Sequence, residues 1–152
     1  MKFQFALEAV LRVRSIREDQ QRSLLLAANA ECDRLRGQLD AIEQDHARRR
    51  AMVSAQMASG MWGAELQYDA ECRRQAQMLR NRILADLEQA RKRALQENEK
   101  YLSLRRDRRA MEALRDSAQR QFELEQRRRE QLGLDEMFLL SRGRGGQTLP
   151  SG

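Results

Sequence analysis

Leu25, Ala28, Cys32, Leu35, Leu39, Ile42 and His46 succeed one another by alternating steps of three and four. That spacing keeps one stripe of a helix turned towards a partner helix, and holding it over so many turns commits the segment to a coiled coil. A second series runs through Cys72, Ala76, Leu79, Ile83, Leu87, Ala90 and Ala94, then Tyr101, Leu104, Met111, Ala118 and Phe122. Its two consecutive steps of four between Leu79 and Leu87 read as a local stutter. Between the series lies Ala58-Ser59-Gly60-Met61-Trp62-Gly63-Ala64, whose two glycines mark a hairpin turn.

The predicted fold is therefore all-α, a long two-helix antiparallel coiled-coil hairpin forming one domain over residues 1–141. Its helices are expected at about 3–57 and 65–140, the turn at about 58–64, and a disordered tail at 142–152. Composition agrees: of 152 residues 41% are hydrophobic and 34% charged, but only 5% are aromatic, and the one proline is at 150. This is the make-up of long helices. A hairpin centred near Met61 sets each position opposite the one equally far beyond the turn. Leu35 then meets Leu87, Leu39 meets Ile83, Cys32 meets Ala90, Ala28 meets Ala94, and Leu7 falls opposite Leu114 and Arg115. The second helix outruns the first and ends in Leu134, Met137, Phe138, Leu139 and Leu140, which have no partner in the chain.

At a rise of about 1.5 Å per residue, helices of this length span on the order of 80 Å. A two-helix rod has one stripe to bury and no enclosed cavity in which to desolvate a substrate, so an enzyme is not expected. No GxxxxGK[ST] phosphate loop is present, and His46 is the single histidine. His46 is placed on the seam opposite Ala76 and reads as a packing residue. The carboxylates alternate with arginines on exposed faces, so no general acid or base, metal site or cofactor is expected.

The formal net charge is +6 and the isoelectric point about 10.1. Nucleic acid, an anionic membrane and an acidic protein are all candidate partners by sign. The basic excess is spread along the chain, and many acids precede a base by four: Glu8 and Arg12, Glu18 and Arg22, Asp45 and Arg49, Glu88 and Lys92, Glu123 and Arg127, Glu125 and Arg129. Such pairs support exposed helix faces. The Arg105-Arg106-Asp107-Arg108-Arg109 and Arg127-Arg128-Arg129 runs read as solvated faces, and the Arg142-Gly-Arg-Gly-Gly segment as a tail that could touch RNA. The opening Met-Lys-Phe-Gln-Phe meets Glu8 and Arg12 before an apolar core builds up, so neither a signal peptide nor a membrane span is expected. Two cysteines without CxxC spacing fit a reducing cytoplasm. Trp62, at the hairpin tip, has two readings. It caps the end of the seam, or it is an anchor that fills a partner's pocket.

Phe3-Gln4-Phe5-Ala6-Leu7-Glu8-Ala9-Val10-Leu11-Arg12-Val13-Arg14 resembles the F-x-F-x-L-E-x-V-L-x-x-R opening of the FliJ family. Tyr101 to Arg109, Met111-Glu112-Ala113-Leu114 and Glu130-Gln131-Leu132-Gly133-Leu134-Asp135-Glu136 are similar to that family's closing region. Leu132 and Gly133 depart from it, since a basic residue is common there, and aromatics are sparse along the middle. The resemblance implies a non-catalytic, cytoplasmic coiled-coil component of the flagellar type III export apparatus, attached to the inner membrane only through that apparatus. It implies a stalk like the γ subunit of rotary ATPases, whose terminal end enters the ring of the hexameric export ATPase. It also implies contacts with the cytoplasmic domain of the export-gate membrane protein and with export chaperones, without specific nucleic acid or membrane insertion.

On that footing the ring-facing charges are Arg12, Arg14 and Arg17, near Leu104 to Ala110 in the register, and Arg120, Arg127 and Arg128 beyond it. Tyr68, Cys72 and Ala76 stand where the export-gate stripe would run. The equivalent stalk of a virulence secretion system, a basic nucleic-acid-binding coiled coil and a self-assembling structural rod are the alternatives. Whether the seam closes within one chain or between two stays open at this point.

Overall fold

Gly60 holds a φ of +94°, the left-handed conformation that glycine adopts without a Cβ clash, and it ends the first helix. The computed structural model describes residues 2–60 and 62–145. Helix α1 runs Glu8–Ser59 and helix α2 runs Gly63–Gly145. The Gly60 amide donates to the Met57 carbonyl at 3.3 Å and the Ser59 hydroxyl to the Gln56 carbonyl at 3.0 Å, so two of the carbonyls left open at the end of α1 are satisfied locally. Past the turn, the Trp62 carbonyl accepts from the amides of Glu65 and Leu66 at 3.1 and 3.2 Å and starts α2. Glu8 and Glu65 lie in the first turns and Arg142 and Arg144 in the last turn of α2, each where the helix dipole favours its charge.

The break is narrower than the expected 58–64, because Ala58 and Ser59 still close helical bonds and Gly63 already opens α2. Residues 3–7 lie before α1, where helix was expected, and α2 continues to Gly145, past the expected 140. Of the expected tail, 142–145 are therefore helical, and 146–152 lie outside the described residues, as does Met61.

The chain resolves into two compact units. One comprises the chain ends, up to Ile16 and from Arg106 onward, and the other Arg17–Arg105. In each, a piece of α1 packs antiparallel on a piece of α2 of the same chain. The Arg17–Arg105 unit is centred on buried Cys32, Leu35, Ile83 and Leu87, against which Leu39, Ile42, Ala90 and Ala94 pack. These are the partners that counting outward from the turn assigns. Glu43 and Arg80 close the same interface at 3.5 Å. In the unit of the chain ends, Leu11 and Met111 are buried, Arg115 meets Glu8 at 3.8 Å, and the rings of Phe3 and Phe122 pack with centroids 5.6 Å apart.

Three expectations about the seam are corrected. Leu79 is 49% exposed, and half-buried Arg80 holds the position between Ala76 and Ile83. The two consecutive steps of four therefore run Cys72, Ala76, Arg80, about two turns earlier than the apolar residues suggest. The seam of α1 does not begin at Leu25 but runs back through Gln21 and Glu18 in one unit and through Arg14 and Leu11 in the other. Glu18 is 2% exposed, with the Arg22 guanidinium at 3.8 Å. Of the six acid-base pairs expected at a spacing of four, Glu18 with Arg22 closes, whereas Asp45 and Arg49 do not come within ion-pair distance. Exposed pairs are worth only tenths of a kcal/mol and are easily given up.

Candidate functional site

Between the core of the Arg17–Arg105 unit and the turn, the seam runs short of apolar volume. After His46 the seam positions of α1 are Arg49, Val53 and Gln56, and only Val53 is apolar. Facing them are Ala64, Tyr68 and Cys72 of α2. The helices consequently leave an open cleft of about 550 Å³ lined by Arg49, Met52, Val53, Gln56, Ala64, Glu65, Tyr68, Asp69 and Cys72. A second cleft of about 350 Å³ shares Arg49, Tyr68 and Cys72 with it and takes in Asp45, His46, Ala76 and Leu79. Together they form one groove. Val53 and Cys72 remain half-buried on its floor, with Met52 and Tyr68 largely exposed on its walls.

The groove gathers Tyr68, Cys72 and Ala76, which sequence reasoning had placed on a single helix face. It joins them to His46, which the register had set opposite Ala76, and adds what that reasoning missed: Arg49, Met52 and Val53 of α1. The signal was in the sequence, since His46, Arg49 and Val53 continue the three-four spacing, but it was hidden by the drop in hydrophobicity. His46 lines the groove beside Ala76, as the register requires. Asp69 is held by Arg73 at 3.0 Å and Arg74 by Glu71 at 3.4 Å, so those charges are compensated locally. Arg48, Arg49 and Arg50 have no ion pair among the described residues.

Trp62 is 79% exposed. Its main chain starts α2 while its indole stays off the seam, so the capping reading does not hold. Met57, in the last turn of α1, is also exposed.

The expected ring-facing arginines do not behave alike. Arg12, Arg120, Arg127 and Arg128 are exposed on the unit of the chain ends, and Arg17 is exposed on the other. Arg14 is half-buried, and its guanidinium donates to the Asp107 carbonyl at 3.2 Å. It occupies a seam position three residues after Leu11, which is why it points inward. Leu132, Leu134, Met137, Phe138, Leu139 and Leu140 are exposed along the last turns of α2, with the Arg142 guanidinium 5.8 Å from the Phe138 ring centre. Among the described residues, no helix is long and apolar enough to cross a membrane, and no group of three His, Cys, Asp or Glu side chains is placed to hold a metal ion.

A comparison with protein families matches residues 2–146 to one family model, described as flagellar FliJ protein. Neither the curated proteins nor the solved structures gave a match to the chain.

Proposed function

Since the chain belongs to the FliJ family, components of the flagellar type III export apparatus, we propose that it acts there without chemistry of its own, as a stalk that binds the hexameric export ATPase. The observation that carries this reading is the pairing of a family match over residues 2–146 with a two-helix hairpin that leaves Arg12, Arg120, Arg127 and Arg128 exposed on the unit of the chain ends. Arg12, Arg120, Arg127 and Arg128 are the charges proposed to face the ring, together with Arg17, which is exposed on the other unit. Long-range attraction speeds encounter with a surface of opposite charge, and contacts that differ between ring subunits bias those subunits between conformations. The groove at Tyr68, Cys72 and Ala76 is proposed to receive the cytoplasmic domain of the export-gate membrane protein, and the exposed end of α2 the export chaperones. The protein thereby works in the cytoplasm and reaches the inner membrane only through these partners.

The test is a pull-down of the full chain with the purified export ATPase, followed by its hydrolysis rate. A complex and a raised rate are expected. No complex at micromolar concentrations would refute the stalk reading. Steep, salt-dependent binding to random DNA in its place would favour the nucleic-acid alternative.

A further inference from the structure

Resting on the reading of the groove as the gate-binding site, we infer that its occupant is an acidic segment of the gate's cytoplasmic domain bearing a bulky apolar side chain, and that Arg49, Met52 and Val53 of α1 supply half of the contact. The first observation is volume. The cleft of about 550 Å³ lies where the seam would close if Arg49 and Gln56 were apolar, so it has the depth and the apolar floor, Val53 and Cys72, to take one large side chain. Such central pockets, filled by a single anchor, carry most of the energy of an interface.

The second observation is charge. Asp69 is neutralised by Arg73, and Glu65 sits in the first turn of α2, where the helix dipole compensates it. Asp45 lines the second cleft and Arg49 both, without an ion pair between them, and Arg48 and Arg50 flank Arg49 in the same turn, so three cations stand against the two acids of the groove that no arginine pairs, Asp45 and Glu65. The expected Asp45 to Arg49 pair is open, so the guanidinium is available to a carboxylate from outside. A neutral or basic segment would leave it uncompensated on burial, whereas a glutamate or aspartate beside the anchor would form a charge-assisted bond. The occupant therefore carries acid next to apolar bulk. Tyr68 on the opposite wall provides a flat face for the anchor.

The experiment is calorimetric titration of the gate's cytoplasmic domain into the full chain at two salt concentrations. Arg49→Glu and Met52→Ala are each expected to weaken binding at least tenfold without changing the melting temperature, because both side chains are exposed to solvent. Raising salt should weaken the wild type more than Arg49→Glu. Arg82→Glu, an equal change of charge outside the groove, should bind like wild type, and an equal loss there would overturn the inference. If Tyr68→Ala abolishes binding while Arg49→Glu and Met52→Ala do not, the gate reading stands and the inference falls. A fluorescent peptide with Leu-Phe between glutamates, compared with its lysine counterpart, tests the chemistry alone. At least tenfold preference for the acidic peptide, lost in Arg49→Glu, is expected, and equal affinities overturn the inference. Peptide preference without gate binding would overturn the gate as the source and uphold the groove's chemistry.

Discussion

Gln21 of α1 donates to both the main-chain carbonyl and the side-chain carboxylate of Glu97 on α2, from a seam position buried as deeply as Ala28 one heptad later. The seam thus contains a polar layer whose groups are satisfied across the interface. Removing one partner strands the other, whereas replacing both with apolar residues strands neither. Gln21→Leu alone should cost about 1–3 kcal/mol. Gln21→Leu with Glu97→Leu should recover most of it. Thermal melts of the two single variants and the double one check this, and additive losses would show that the pair is not coupled.

The core residues should dominate stability. Leu87 is buried among Cys32, Leu35 and Ile83, so Leu87→Ala should cost about 2–5 kcal/mol. Leu79→Ala should change stability by less than about 0.5 kcal/mol, because Leu79 has left the seam. Denaturant unfolding of both variants decides whether Arg80 or Leu79 holds that position. Equal losses would restore Leu79 to the seam.

Both cysteines are free, Cys32 buried and Cys72 half-buried at the groove. A thiol reagent should modify Cys72 well before Cys32, whose reaction should follow unfolding. Counted from the turn, the two lie on the order of 27 Å apart along the helices, at about 1.5 Å per residue. That is far beyond disulfide reach. An intrachain bond between them under mild oxidant would contradict the hairpin register.

Arg12, Arg127 and Arg128 are exposed, so changing all three to Glu should leave melting within about 0.5 kcal/mol per site of wild type. The same variant should bind the export ATPase weakly and fail to stimulate it. Wild-type stimulation by a folded variant would refute the ring-facing assignment. Arg14→Glu is a poorer probe. It breaks the bond to the Asp107 carbonyl and places an acid in the seam, so it should lower the melting temperature by itself.

The two helices, the turn at Gly60 and the opposition of Leu35 with Leu87 were legible because large apolar residues recur at seam spacing. Arg14, Glu18, Gln21 and Arg80 were not, since a seam position filled by a polar side chain carries no hydrophobic signal. Its place is seen only once neighbouring apolar positions on both sides fix the phase. The half of the groove that α1 contributes was hidden for the same reason. A resemblance aligned along one helix points to Tyr68, Cys72 and Ala76, but which residues face them is set by the fold. Trp62 could be read both ways, because glycine neighbours say where a turn lies and not which way an indole leaves it.

Because every partnership across the seam follows from counting outward from one turn, the length of such a chain can drift only in matched increments. Seven residues inserted in α1 between Leu35 and Leu39 would need seven more in α2 between Ile83 and Leu87, and together they would add one heptad, roughly 10 Å. An unmatched insertion would have to be expelled as a bulge or shift every contact on the side away from Gly60. Descendants of this sequence should therefore differ in size like zippers differ, by whole pairs of teeth.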